Sequence, residues 1–149
     1  MILRIGAAPQ KGRRYTLRPG AYAILPLSGA VLLTRQMGHE PDIQLPGGGI
    51  DPGEHPFHAL HREVMEEIGW RIAAPRRLGA FRRFVFMPEY DLWAEKLCTV
   101  YVARPVRPIA KPTEPDHETL WLPFAEAIAK LGNDGDRMFL RSYVASGAP

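Results

Sequence analysis

The chain has 149 residues, 46% of them apolar, and a net charge of +3 at pH 7. That is the size of one domain with room for a sizeable core, and the apolar share is ordinary for a globular protein. Its longest apolar runs fall far short of a membrane span, and it has neither a dense basic tract nor a recognisable nucleic-acid module.

Residues 1–149 are therefore expected to form a single domain, with a flexible lead over residues 1–18. Residues 1–8 lack the apolar stretch of a signal peptide, so a cytoplasmic protein is expected. Cys98 is the only cysteine, which rules out an internal disulfide. It reads as a buried thiol.

In chain order, Tyr22–Leu27 and Ala30–Arg35 read as a hairpin turning at Ser28-Gly29. Short extended pieces at residues 43–45 and 50 flank a glycine turn, Leu45-Pro46-Gly47-Gly48-Gly49. This turn lets backbone approach a ligand closely, yet it is neither a Walker loop nor a dinucleotide fingerprint. Pro56 suits the first turn of a helix, and Gly69 suits its left-handed end. Between them Phe57, Leu60, Val64 and Ile68 recur at three- and four-residue steps, a buried stripe. Longer strands are predicted at 78–87 and 96–104, and a short one at Leu120-Trp121-Leu122. A helix then runs to about Leu131, Gly132-Asn133-Asp134-Gly135 breaks it, and Asp136 caps a last helix to about Ala145.

The first helix carries the chemistry. Glu63, Glu66 and Glu67 span only about 100° of its circumference. Like charges so spaced repel by roughly 0.2–0.5 kcal/mol per exposed pair. Glu63 and Glu67 lie toward the C-terminal half, as does Glu66 between them, where the helix dipole disfavours anions. Arg62 offsets part of this through Glu66 at i+4, but one arginine does not neutralise three carboxylates. A hard divalent cation does. Mg2+ is the default and Mn2+ follows the same chemistry. The bland reading of the same residues is a solvated acidic face.

Residues 48–70 resemble the signature of the Nudix hydrolases, Gly-x5-Glu-x7-Arg-Glu-U-x-Glu-Glu-x-Gly-U, where U is bulky and apolar. Gly48, Glu54, Arg62, Glu63, Val64, Glu66, Glu67, Gly69 and Trp70 match it without a gap. The seven fixed letters coincide by chance with probability on the order of 10⁻⁹ per starting position. The resemblance implies an α/β/α sandwich with a mixed β-sheet between helices. It also implies hydrolysis of a nucleoside diphosphate linked to another group. Glu63, Glu66 and Glu67 become metal ligands, joined by the Gly47 carbonyl. Arg62 holds the glutamates, and Glu54 braces the junction of loop and helix. A catalytic carboxylate from a distal loop is also implied, with Glu114 the first choice and Glu118 the second.

Specificity lies outside the signature. Arg82 and Arg83 are the best candidates to attract phosphate, and Phe86 and Tyr90 to stack on a base. His55, His58 and His61 form no zinc spacing. The leading substrate is ADP-ribose or a related nucleotide sugar. The alternatives are oxidised nucleoside triphosphates, dinucleoside polyphosphates, or a non-catalytic nucleotide- or RNA-binding module. The branch acting on RNA ends is disfavoured because its Gln-rich glycine loop is absent. A small nucleoside diphosphate derivative is thus the expected partner, with no membrane, no nucleic acid, and room for a homodimer.

Overall fold

A computed structural model describes residues 2–147. Its strands are β1 (Leu3–Arg4), β2 (Thr16–Leu27), β3 (Ala30–Gln36), β4 (Asp42–Gln44), β5 (Gly47–Gly49), β6 (Trp70–Met87), β7 (Leu92–Pro108) and β8 (His117–Pro123). The helices are α1 (Pro56–Ile68), α2 (Phe124–Lys130) and α3 (Asp134–Ala145). The strands form one mixed sheet in the order β1-β6-β7-β2-β3-β4, with β5 paired to β2 and β8 to β3. β2 runs parallel to β7 and β1 parallel to β6, while the other pairings are antiparallel.

Period-2 alternation in β2 supplies both faces of this sheet. Tyr22 and Ile24 face α2 and α3, packing with Leu131, Leu140 and Tyr143. Ala21, Ala23 and Leu25 face α1, packing with Leu60, Val64 and Ile68. The layers are helix, sheet and helix, as the resemblance implied. Each fully buried Leu, Val or Ile removes enough apolar surface from water to contribute about 1.5–3 kcal/mol.

α1 is set by local chemistry. The His55 ring accepts from the Phe57 amide, Pro56 opens the helix, and Gly69 closes it at φ 70°. A side chain at Gly69 would strike the Ala110 carbonyl, so glycine is needed there for space as well as conformation. Phe57 departs from the expected stripe. It is 40% exposed and meets His55 and Tyr101 edge-on.

Two other expectations change. The glycine run is itself a strand, with Gly47, Gly48 and Gly49 pairing Tyr22, Ala21 and Gly20. The cap of α3 is Asn133, whose side chain accepts from the Asp136 amide, while the Asp136 carboxylate turns inward. Of the segment expected to be flexible, residues 3–4 pair with β6 and residues 16–18 open β2. Among the described residues no helix is long and apolar enough to cross a membrane.

Candidate active site

Arg62 is the hub of the acidic face of α1. Its Nε and Nη2 each donate to one oxygen of Glu54 at 2.9 Å, a two-pronged pair. Nη1 donates to Glu63 at 2.8 Å and lies 3.5 Å from Glu66. Nη2 also donates to the Gly49 carbonyl at 3.0 Å, tying helix to glycine strand. Glu54 receives further hydrogen bonds from the Asp51 amide and the His58 ring. The Arg62 hydrogen bonds, then the Asp51 amide, bring its carboxyl down to about 2. The same hydrogen bond to Glu54 holds the Arg62 proton more tightly than usual.

Glu67 sits deeper. It is buried, and its Oε1 accepts from the Gly47 amide at 2.8 Å. Burial pushes its pKa well above the usual carboxylate range, and repulsion from Glu63 and Glu114 adds to the push. Burial likewise raises Glu63, helped by Glu66 and Glu114 and opposed by Arg62. His117 Nδ1 lies 2.8 Å from the Thr34 hydroxyl and 3.5 Å from Glu67.

An open cavity of about 820 Å3 lies over this arrangement. Glu63, Glu67 and Glu114 all border it, as do Gly47 and Glu54. Glu114 arrives because its loop docks on α1, where the Thr113 and Glu114 amides both donate to the Glu66 carbonyl, at 2.9 and 3.0 Å. Glu66 is not in the lining, and its side chain is 34% exposed. Glu118 points elsewhere, paired with Arg35 at 2.8 Å on the outer surface.

Of the residues expected to meet substrate, Tyr90 alone borders this cavity. The Arg18 guanidinium lies 4.5 Å over its ring. Arg82 pairs with Glu95, Arg83 borders a separate cavity of about 230 Å3, and Phe86 packs against Trp93.

Arg18, Lys96 and His117 border the main cavity and were missed. Lys96 left a readable sign. It shares a strand face with Ala94, Cys98 and Val100, all buried, so it is a lysine on an inward face. Its ammonium lies 5.6 Å over the Tyr22 ring.

The donor chemistry suits a hard cation, since carboxylate oxygens that repel one another converge on one cavity. Among the described residues no three His, Cys, Asp or Glu side chains are already gathered into a metal cage. Glu63 is drawn toward Arg62 and Glu67 toward the Gly47 amide instead.

Residues 16–143 match the family model of the NUDIX domain. A protein of Bacillus subtilis (strain 168), provisionally named an 8-oxo-dGTP diphosphatase, is 34% identical over 74 residues, half of each chain. An RNA pyrophosphohydrolase of Helicobacter pylori (strain G27) is 44% identical over 57 residues, 35% of this chain and 37% of that one. The chain thus spans half or less of the length of these curated relatives. A NUDIX hydrolase structure from Nitrosomonas europaea superposes with a TM-score of 0.73 at 18% identity, covering 88% of this chain and 90% of the other. At that identity the likeness is one of fold.

One expectation is corrected by these relatives. The sequence reading expects no nucleic acid as a partner, yet RNA pyrophosphohydrolases recur among the matches. A dense basic tract serves binding along a nucleic-acid backbone, and its absence does not exclude contact with a few phosphates.

Proposed function

The chain belongs to the NUDIX domain family, and we propose that it hydrolyses a phosphoanhydride bond in a nucleoside 5′-triphosphate group with a divalent cation. The observation that carries this reading is the convergence of Glu63, Glu67 and Glu114 on a cavity that also holds Lys96 and the Arg18–Tyr90 pair. Negative groups beside positive and aromatic ones suit a cation-bridged phosphate chain joined to a base.

Glu63, Glu66 and Glu67, with the Gly47 carbonyl, would hold Mg2+ or Mn2+. When bound, that ion neutralises phosphate charge and acidifies the attacking water. Arg62 keeps Glu63 in position, and Glu54 keeps Arg62 in position. Glu114 takes the water proton onto a carboxylate oxygen. Lys96 binds a phosphate oxygen, and Tyr90 stacks on the base with Arg18 behind it. Arg82 and Arg83 contribute only long-range attraction for the anion.

The favoured substrate is a free nucleoside triphosphate with an oxidised purine, supported by the Bacillus subtilis relative. A 5′-triphosphate on RNA is the second reading, supported by the recurring RNA pyrophosphohydrolases. ADP-ribose, the first expectation from the sequence, has less support from the relatives than its alternatives. The test is hydrolysis of 8-oxo-dGTP, a short triphosphorylated RNA and ADP-ribose with Mg2+, with products weighed by mass spectrometry. Monophosphate and pyrophosphate from 8-oxo-dGTP at the highest kcat/KM support the favoured reading. Preference for the RNA would replace it with the second. No release from any nucleotide would reject both.

A further inference from the structure

We propose that Asp136, on the opposite side of the sheet from α1, is a positioning residue that holds the strand leading to Gly47 and thereby sets Glu67. Asp136 is 4% exposed, and its Oδ2 accepts from the Leu45 amide at 3.1 Å. The turn before α3 grips the same strand a second time, because the Gly132 amide donates to the Ile43 carbonyl at 2.8 Å. Next along the strand, the Pro46 carbonyl accepts from the Ala23 amide at 2.9 Å. Gly47 follows, with its amide donated to Glu67. Residues 43, 45, 46 and 47 are therefore each tied elsewhere in the fold, residue 43 to Gly132 of the α2–α3 turn and residue 45 to Asp136 in the first turn of α3.

The geometry leaves Leu45 little freedom. Its side chain is fully buried in the core, and its amide meets the Asp136 carboxylate. A buried amide that loses its acceptor must find another, and here that means moving the backbone two residues before Gly47. Asp136 is itself held by Asn133, whose side chain accepts from its amide at 2.8 Å, so the clamp is rigid at its source. The contact with Leu45 needs an acceptor there, not a charge. Burial disfavours its charge, and an asparagine would accept the same hydrogen bond. The charge has nearby company in Arg83 and in Lys96 of the cavity. Residues that orient a ligand from behind commonly alter affinity or turnover by about 10- to 100-fold when removed.

The inference rests on the hydrolase reading only for its effect on turnover, so the test has three readouts on the full chain. Asp136→Ala and Asp136→Asn are compared with the wild type for kcat and KM on the best nucleotide. They are also compared for Mn2+ affinity by electron paramagnetic resonance and for exchange of the Gly47 amide by NMR. Asp136→Ala should lower kcat by about 10- to 100-fold with KM little changed, weaken Mn2+ binding, and speed Gly47 exchange. Asp136→Asn keeps an acceptor for Leu45 and should restore all three. If Asp136→Ala does not fold, Asp136→Ser, whose hydroxyl is too short to keep the 3.1 Å contact, is read in its place. Wild-type kcat, Mn2+ affinity and Gly47 exchange in a folded Ala or Ser variant would overturn the inference. If the wild type hydrolyses nothing, the proposed activity fails, and Gly47 exchange alone decides the role of Asp136.

Discussion

Gly48 faces Glu63 so closely that a Cβ on Gly48 would stand 2.5 Å from the Glu63 carboxyl carbon. The neighbouring Gly47 is blocked by different atoms. Its Cβ would come within 2.6 Å of the Tyr22 Cα and run into the Ala21 carbonyl, at a φ of 146° that side chains rarely adopt. Adjacent glycines thus answer to different needs, one to the site and one to the sheet. Gly48→Ala should push aside the flexible end of Glu63 and lower turnover by about 10-fold or more, with little change in Tm. Gly47→Ala must move backbone and should cost about 1–3 kcal/mol of stability or more. Thermal melts beside kcat separate the two. Equal losses of stability in both variants would contradict the division.

The Arg62–Glu54 pair should be visible in acid. Glu54 titrates at about 2 in the fold, against an ordinary value of 4.5. A lowered carboxylate pKa favours folding when the group is ionised. Its contribution is present above pH 4.5 and is lost as pH falls through about 2. Glu54→Gln should flatten the decline of stability across that window while leaving the rest of the acid limb. Urea midpoints taken every half unit of pH would reveal it. An unchanged slope in Glu54→Gln would mean that the pair adds nothing to folding.

What was legible in the sequence was local. The ends of α1, its acidic face and the turn at Ser28-Gly29 are written in residues a few positions apart, and the structure has them there. Strand faces were harder. β6 pairs with β7 through register shifts at Arg71/Ile72, Ala73/Arg76 and Arg77/Gly79, and each shift breaks simple alternation. Nothing near Arg82, Arg83 or Phe86 reveals that they end up outside the main cavity. The glycine strand has no side-chain pattern to read, since its pairing with β2 is entirely backbone. The bond from Asp136 to Leu45 spans 91 positions, beyond any local signal, so a cap was the natural reading of that aspartate.

Glu67→Gln is the sharper of two tests of the helix carboxylates. A glutamine oxygen can still accept from the Gly47 amide, so the fold should survive. Loss of the charged donor should cost about 10²–10⁴-fold in turnover. Glu66→Gln should lose less, because Glu66 is more exposed and lies outside the cavity lining. Stripping the cation with EDTA should abolish activity but lower Tm only modestly. Binding at a hundred times Kd adds only about 2.7 kcal/mol, and the apolar face of α1 stays packed. Full activity after verified metal removal would defeat the metal assignment.

Glu114 and Glu118 lie four positions apart and occupy opposite situations. Glu114 borders the cavity with Glu63 and Glu67, on a loop fastened to the Glu66 carbonyl by two amides. Glu118 is in β8, where its carboxylate is engaged by Arg35 and its side chain is 48% exposed. An exposed pair of that kind contributes about 0–1 kcal/mol, so Glu118→Gln should leave both stability and turnover close to the wild type. Glu114→Gln keeps the side-chain size and the loop's backbone bonds, yet removes the group that would accept the water proton. Its kcat should fall by about 10²–10⁴-fold, with the acidic limb of the pH–rate profile lost or displaced. Asp116→Gln controls for charge in the same loop, whose backbone carbonyl at that position already accepts from the Met37 amide. A fall in kcat with the limb intact would make Glu114 a ligand or an orienting group instead of the base. Wild-type kcat in Glu114→Gln would move proton transfer back to the carboxylates of α1.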